Sequence, residues 1–162
     1  MKPSYIDVIT YFYHDNFFVY ISEYVCNTRD PRRDKLQQHV VFSDKAPAAI
    51  GPYSQAIAYG SLLFISGQLG IDPASGTMRE GIQEQARQAL LNLKAILAES
   101  NSSLKSVLKT TVFLNDMNDF AAVNDIYAQF FPDPCPARSA IQVVQLPKGG
   151  LIEIEAIAGI SP

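Results

Sequence analysis

The chain has 162 residues, 48% hydrophobic and 18% charged, which suits one sizeable hydrophobic core and leaves little room for a second. A net charge of -3 gives no electrostatic reason to expect nucleic acid or an acidic membrane as partner. Cys26 and Cys135 stand far apart with no CxxC pair, so neither a disulfide framework nor a thiolate zinc site is suggested, and a reducing compartment fits. The two histidines, His14 and His39, both precede residue 40. Residues 40–162 contain none, which excludes from that part a Ser-His-Asp triad, a Cys-His pair, an HExxH zinc site and facial-triad iron.

Residues 1–39 read as an N-terminal extension of unknown role. They hold eight of the seventeen Phe and Tyr residues and end in the charged run Thr28–Lys35. Asp7, Asp15 and Glu23 interrupt the apolar part, so it is a poor membrane span and a poor signal-peptide core. A mobile arm, an extra element docked on the domain, an upstream extension without a role and a partner-binding arm all fit it. The absence of targeting signals points to the cytoplasm.

From Val40 the pattern becomes regular, and a domain over residues 40–162 is expected. Ser54–Ala58 and Leu62–Ser66 read as a β-hairpin joined by Tyr59-Gly60-Ser61. Leu62 to Ile65 is apolar on both faces, so that strand should be central. Residues 82–99 form the clearest helix, with Ile82, Ala86, Ala89, Leu90, Leu93, Ile96 and Leu97 on one stripe. Glu84, Arg87, Gln88, Asn92, Lys94 and Glu99 read as its solvated side.

Val107–Leu114 is β-branched and apolar, hence a strand. A second helix is expected from Asn118 or Asp119, either of which can cap it, until Pro132 ends it. Arg138–Val144 and Leu151–Ala158 are the last strands, separated by the turn Pro147–Gly150. The order β-β-β-α-β-α-β-β is α+β, with two helices for five or six strands. Two helices cover one face of such a sheet, yet alternation puts Phe113, Ile157 and either Ile141 or Val143 on the other. Oligomerisation through that face is the economical way to cover it.

Several residues are candidates for chemistry. The loop Phe131–Arg138 has three prolines that fix φ, so Arg138 enters its strand from a stiff frame. Its guanidinium matches a carboxylate bidentately, although a surface ion pair is the commoner use. Glu153 and Glu155 share a strand face roughly 7 Å apart, which fits an acid-base pair or simply a solvated face. One Glu in a partly apolar pocket can act as a base, because burial raises its pKa. Tyr53 offers a phenol or packs in the core, and Gly67 permits close backbone approach or a bulge. Asn124 faces a cleft or flanks the core. Cys135 lacks a basic partner in sequence, so it is a weak nucleophile. No GxGxxG or P-loop is present.

The segments Lys45–Ala56, Ile65–Gln68, Lys109–Leu114, Met117–Tyr127, Pro136–Ala140 and Leu146–Ala156 closely resemble the reactive intermediate deaminase (RidA, formerly YjgF) family. The resemblance runs from about Val40 to Ile160. It implies a chorismate-mutase-like α+β fold that forms homotrimers around a central barrel, with ligand sites between subunits. The activity it implies is hydrolysis of reactive enamines and imines, such as 2-aminoacrylate and 2-iminobutanoate, to 2-keto acids and ammonia, without metal or cofactor. Arg138 would hold the substrate carboxylate and Glu153 would position the attacking water. Tyr53, Ser66, Gly67 and Asn124 would line the cleft. Ala140 would also line it, at a position where some relatives have a cysteine, so a thiol there is not required.

Two other classes stand beside this reading. Some members of the family resemble translation inhibitors with endoribonuclease action, but residues 40–162 carry eight positive and eleven negative side chains and no basic stripe. A non-catalytic ligand-binding or chaperone-like trimer would need Arg138 but has little use for Glu153.

Overall fold

The computed structural model describes residues 6–14, 17–25 and 37–160, and the chain divides into two units, Met1–Leu36 and Gln37–Pro162. In the first unit, strand β1 (Ile6–His14) pairs antiparallel with β2 (Phe17–Val25), Ile6 opposite Val25 and His14 opposite Phe17. Aromatic residues occupy consecutive positions in both strands, so no alternation marks them in the sequence.

The second unit is a six-stranded mixed sheet with two helices on one face. Its elements are β3 (Gln38–Val41), β4 (Ala56–Tyr59), β5 (Leu62–Leu69), α1 (Gly81–Ala98), β6 (Val107–Leu114), α2 (Phe120–Phe130), β7 (Ala137–Gln142) and β8 (Ile152–Gly159). The strand order is β3-β4-β5-β8-β6-β7, antiparallel except for the pair β6 and β7, whose crossover is α2. The α+β class and the hairpin agree with the sequence. His39 lies within β3 and is exposed, so this unit does contain a histidine. The boundary read at residue 40 missed it because Gln38 and His39 are polar positions on an edge strand, where no apolar period announces them.

The hairpin turn is tighter than the three residues read from sequence. Tyr59 pairs directly with Leu62 across Gly60 and Ser61, and Gly60 takes a φ of 61°. Strand β5 runs on to Leu69 through a bulge between Ile65 and Gln68. Before α2, neither expected cap residue uses its side chain to close the helix. Asp116 accepts instead from the Asn118 N–H at 2.9 Å, capping the short 3-10 turn Met117–Asp119 that leads into it.

Helix α1 buries Ala86, Ala89, Leu90, Leu93, Ile96 and Leu97 against Leu63, Ile65, Ile154, Ala156 and Ala158 of the sheet. The buried stripe is wider than the apolar residues alone. Asn92, read as solvated, is fully buried, and Gln85 nearly so. Asn92 donates through Nδ2 to the carbonyls of Leu69 and Ile71 at 3.0 and 2.9 Å, and its Oδ1 accepts from Gln88. Gln85 accepts from the Leu151 N–H at 2.8 Å and donates to the Arg79 carbonyl. These amides serve backbone groups at and just beyond the end of β5, just before β8, and in the turn leading into α1.

Among the described residues of this unit no helix lies on the opposite sheet face. Ile57, Phe64, Ile157, Phe113 and Ile141 share it by register, with Phe64 and Ile141 more than 40% exposed. Among the described residues no helix is long and apolar enough to cross a membrane. Asn92→Ala is expected to cost about 1–3 kcal/mol, because two strand-end carbonyls lose their donor inside the core; chemical denaturation of the variant against the parent chain checks this.

Candidate active site

Two recesses gather the residues singled out from sequence. The first, of about 400 Å³, is lined by Ile50, Tyr53, Ser66, Gly67, Leu69, Pro147, Glu153 and Glu155. Glu153 reaches it from β8, opposite Leu69 on one neighbour strand and Phe113 on the other. Gly67 sits in the β5 bulge, and a methyl group added there would overlap the Glu153 carboxyl. The missing side chain is what lets the carboxyl lie against the strand. Gln68 holds the bulge open by donating through Nε2 to the Ser66 and Gly67 carbonyls at 3.0 and 3.4 Å. Ser66 donates its hydroxyl proton to the Ser54 carbonyl at 2.7 Å, leaving its oxygen as an acceptor toward the recess. Tyr53 stands half exposed at the rim, its hydroxyl accepting a long bond from the Ile50 N–H at 3.4 Å.

Burial pushes the Glu153 carboxyl above its ordinary pKa, and the Glu155 carboxylate two residues away adds to the shift. A carboxyl so placed binds a proton more readily than a solvated one, which suits it to accept a proton from water.

The second recess, of about 420 Å³, is lined by Asn124, Tyr127, Ala128, Cys135, Pro136 and Arg138. Arg138 lies on β7 opposite Thr110. Its guanidinium carbon stands 4.6 Å from the Tyr127 ring centre and 5.4 Å from that of Phe120. Tyr127 is buried, packs its ring 4.5 Å from that of Phe131, and shares a 2.7 Å hydroxyl bond with Thr110. Burial holds the Tyr127 phenol above its ordinary pKa, the Thr110 bond and the Arg138 charge opposing. Among the described residues no carboxylate pairs with Arg138. Cys135, exposed on the rim, donates weakly to the Phe131 carbonyl at 3.4 Å.

Ala140 lines neither recess. It lies opposite Val112, half buried against the core and two residues beyond Arg138 on the same face. The structure therefore brings Tyr53, Ser66 and Gly67 to Glu153, and Asn124 to Arg138. It does not bring Arg138 to Glu153. On β6 their partners are Thr110 and Phe113, three residues apart, so the guanidinium and the carboxyl leave the sheet from opposite faces. The sequence did not mark Tyr127 and Phe120, which underlie Arg138, as site residues, because periodicity does not say what a ring's outer face touches. Among the described residues no three His, Cys, Asp or Glu side chains gather as a metal-binding group.

Gly67→Ala is expected to push the Glu153 carboxyl out of its recess and to destabilise the fold by about 1–3 kcal/mol. In a Glu153→Ala background the same substitution should cost much less, and equal costs in the two backgrounds would contradict the contact.

A family model described as endoribonuclease L-PSP matches residues 43–160. A protein of Capra hircus named 2-iminobutanoate/2-iminopropanoate deaminase is 52% identical over 128 residues, covering 78% of this chain and 93% of that one. The crystal structure of RidA from the Antarctic bacterium Psychrobacter superposes with a TM-score of 0.74 at 48% identity, over 75% of this chain and 99% of that one. The E. coli protein TdcF, solved with bound serine, gives a TM-score of 0.74 at 44% identity, over 76% of this chain and 99% of that one. With a family model spanning most of the chain and relatives matched over nearly their whole length, the chain belongs to the reactive intermediate deaminase (RidA) family.

Proposed function

We propose that the protein hydrolyses reactive 2-imino and 2-enamino acids, of the 2-iminobutanoate and 2-aminoacrylate kind, to 2-keto acids and ammonia, at sites shared between neighbouring copies in a cytoplasmic homotrimer. The observation that carries this reading is the division of Arg138 and Glu153 between two sheet faces. A second copy that lays its β7 edge against the Glu153 recess unites them. The uncovered face with Phe64, Phe113, Ile141 and Ile157 would then turn inward to line a central barrel. The name of the Capra hircus relative supports the reaction, and the serine bound to TdcF is a small amino acid with the carboxylate this reading assigns to Arg138.

The chemistry follows from charge and position. Arg138 takes the substrate carboxylate in its fork, leaving the imine carbon over the neighbouring Glu153 recess. That carbon is already electrophilic, so little activation is required. Glu153, as carboxylate, accepts a proton from water while the water oxygen bonds to the imine carbon. The resulting tetrahedral carbon carries hydroxyl and amine. Proton transfer to the amine nitrogen releases ammonia as the C–N bond breaks and the carbonyl forms. An enamine enters the same route once its terminal carbon is protonated. Ser66 and Tyr53 stand at the recess to orient these groups, and Asn124 flanks the carboxylate. With Glu153 and Glu155 both facing the recess, a polyphosphate chain such as RNA would meet repulsion there.

Arg138→Ala is expected to lower kcat/KM by about 10- to 100-fold through loss of a charge-assisted hydrogen-bond pair. Glu153→Gln is expected to lower kcat by about 100-fold or more, since the amide accepts no proton from water. Keto acid release from imines generated in situ by a pyridoxal-phosphate enzyme measures both. Co-expressing the two variants tests the shared site. Random assembly restores about a quarter of wild-type activity if each site draws one residue from each of two copies, and none if both come from one chain.

Because Glu153 must be ionised to act and its pKa is raised, activity should fall with decreasing pH at a midpoint above that of an ordinary glutamate. Glu155→Gln removes one cause of the shift and should move that limb to lower pH. A limb that stays put would take Glu153 out of the base role.

A further inference from the structure

Arg138 is held in an uncommon way for a surface arginine. Its charge rests on the faces of Tyr127 and Phe120, and among the described residues no carboxylate answers it. An ion pair would occupy the guanidinium edge, where the N–H donors point. A ring face accepts no N–H bond of that kind, so the donors stay available to an incoming carboxylate. The ring itself is fixed. Tyr127 is buried in α2, wedged against Phe131, and its hydroxyl is tied to Thr110 on β6. Thr110 is also the β6 partner of Arg138 in the sheet register, so one residue of β6 locates both the cation and its platform.

We propose that Tyr127 is a positioning residue for the carboxylate anchor: its Thr110-locked ring holds the Arg138 guanidinium flat, with the N–H edges turned to the cleft. This rests on Arg138 binding the substrate carboxylate. The phenol stays neutral through the working range because burial holds its pKa up, so the platform adds no charge to compete for the guanidinium.

The test is binding of 2-oxobutanoate to the assembled protein by calorimetry, beside steady-state kinetics with the matching imine. Tyr127→Phe keeps the ring but releases it from Thr110, and should raise Kd by only about two- to threefold. Tyr127→Leu removes the ring face and should raise Kd and KM about tenfold, with kcat changed far less. Fluorinated phenylalanines placed at position 127 keep the shape while draining the ring's negative face, and Kd should climb with each added fluorine. A flat Kd across that series would overturn the proposal, as would a loss confined to kcat. Arg138→Ala, measured in the same way, separates the two claims. If it leaves Kd unchanged, the anchor itself is misassigned. If it weakens binding while the fluorinated series does not, the anchor stands and the platform fails.

Discussion

Successive side chains of a strand leave a sheet on opposite faces, and that alternation governs the site. Thr110 and Phe113 are three residues apart on β6, so the groups registered beside them, Arg138 and Glu153, cannot meet over one sheet. Each face has then been finished for a different task. The helix face closes a core and, at its edge, stacks a cation on aromatic rings. The bare face keeps a carboxyl in a shallow recess beside a stripe of apolar residues. Under the proposed function, each chain would carry half a site at each of two places, and association would be part of the catalytic apparatus.

The Glu153 recess depends on backbone detail more than on side-chain variety. One residue without a Cβ, placed in a bulge, leaves the space that the carboxyl fills, and a buried glutamine occupies the carbonyls that the bulge exposes. Farther along the same strand, Asn92 of α1 satisfies the carbonyls of Leu69 and Ile71, fixing where β5 ends. Polar groups inside this core thus act as rivets at points where the ladder stops. Neither amide leaves a fully buried side-chain atom unpaired, which is the condition under which a buried amide stabilises a fold.

Much of the fold was legible because the strongest signals coincide with the period of each element. The apolar stripe of α1, the β-branched run of β6 and the glycine turn between β4 and β5 all point to the same architecture. What escaped were features without a periodic sign. Asn92 is a polar letter on a helix and reads as solvated, yet its neighbours in space are carbonyls that only the tertiary fold supplies. His39 sits on an edge strand whose polar residues look like a linker. For the recesses, sequence offered the residues by resemblance but not their division between faces, because which strand lies beside which is not written in any one segment. Ala140 shows the limit most plainly, since it is close to Arg138 along β7 yet packs on the core.

The place of β8 has a consequence for how the chain is made. The strands before it form two local groups, the antiparallel run β3-β4-β5 and the parallel pair β6 and β7 around α2, and β8 lies between them in the sheet. It pairs with β5 across some ninety residues of chain, Leu62 opposite Gly159, a long-range closure of the slow kind. Until the ribosome has delivered that last strand, neither group has its inner neighbour and the inner edge of β5 stays unpaired. The same strand carries Glu153. Completion of the sheet and arrival of the carboxyl proposed as base are one event, so a chain still emerging would present the arginine proposed as anchor without the Glu153 recess.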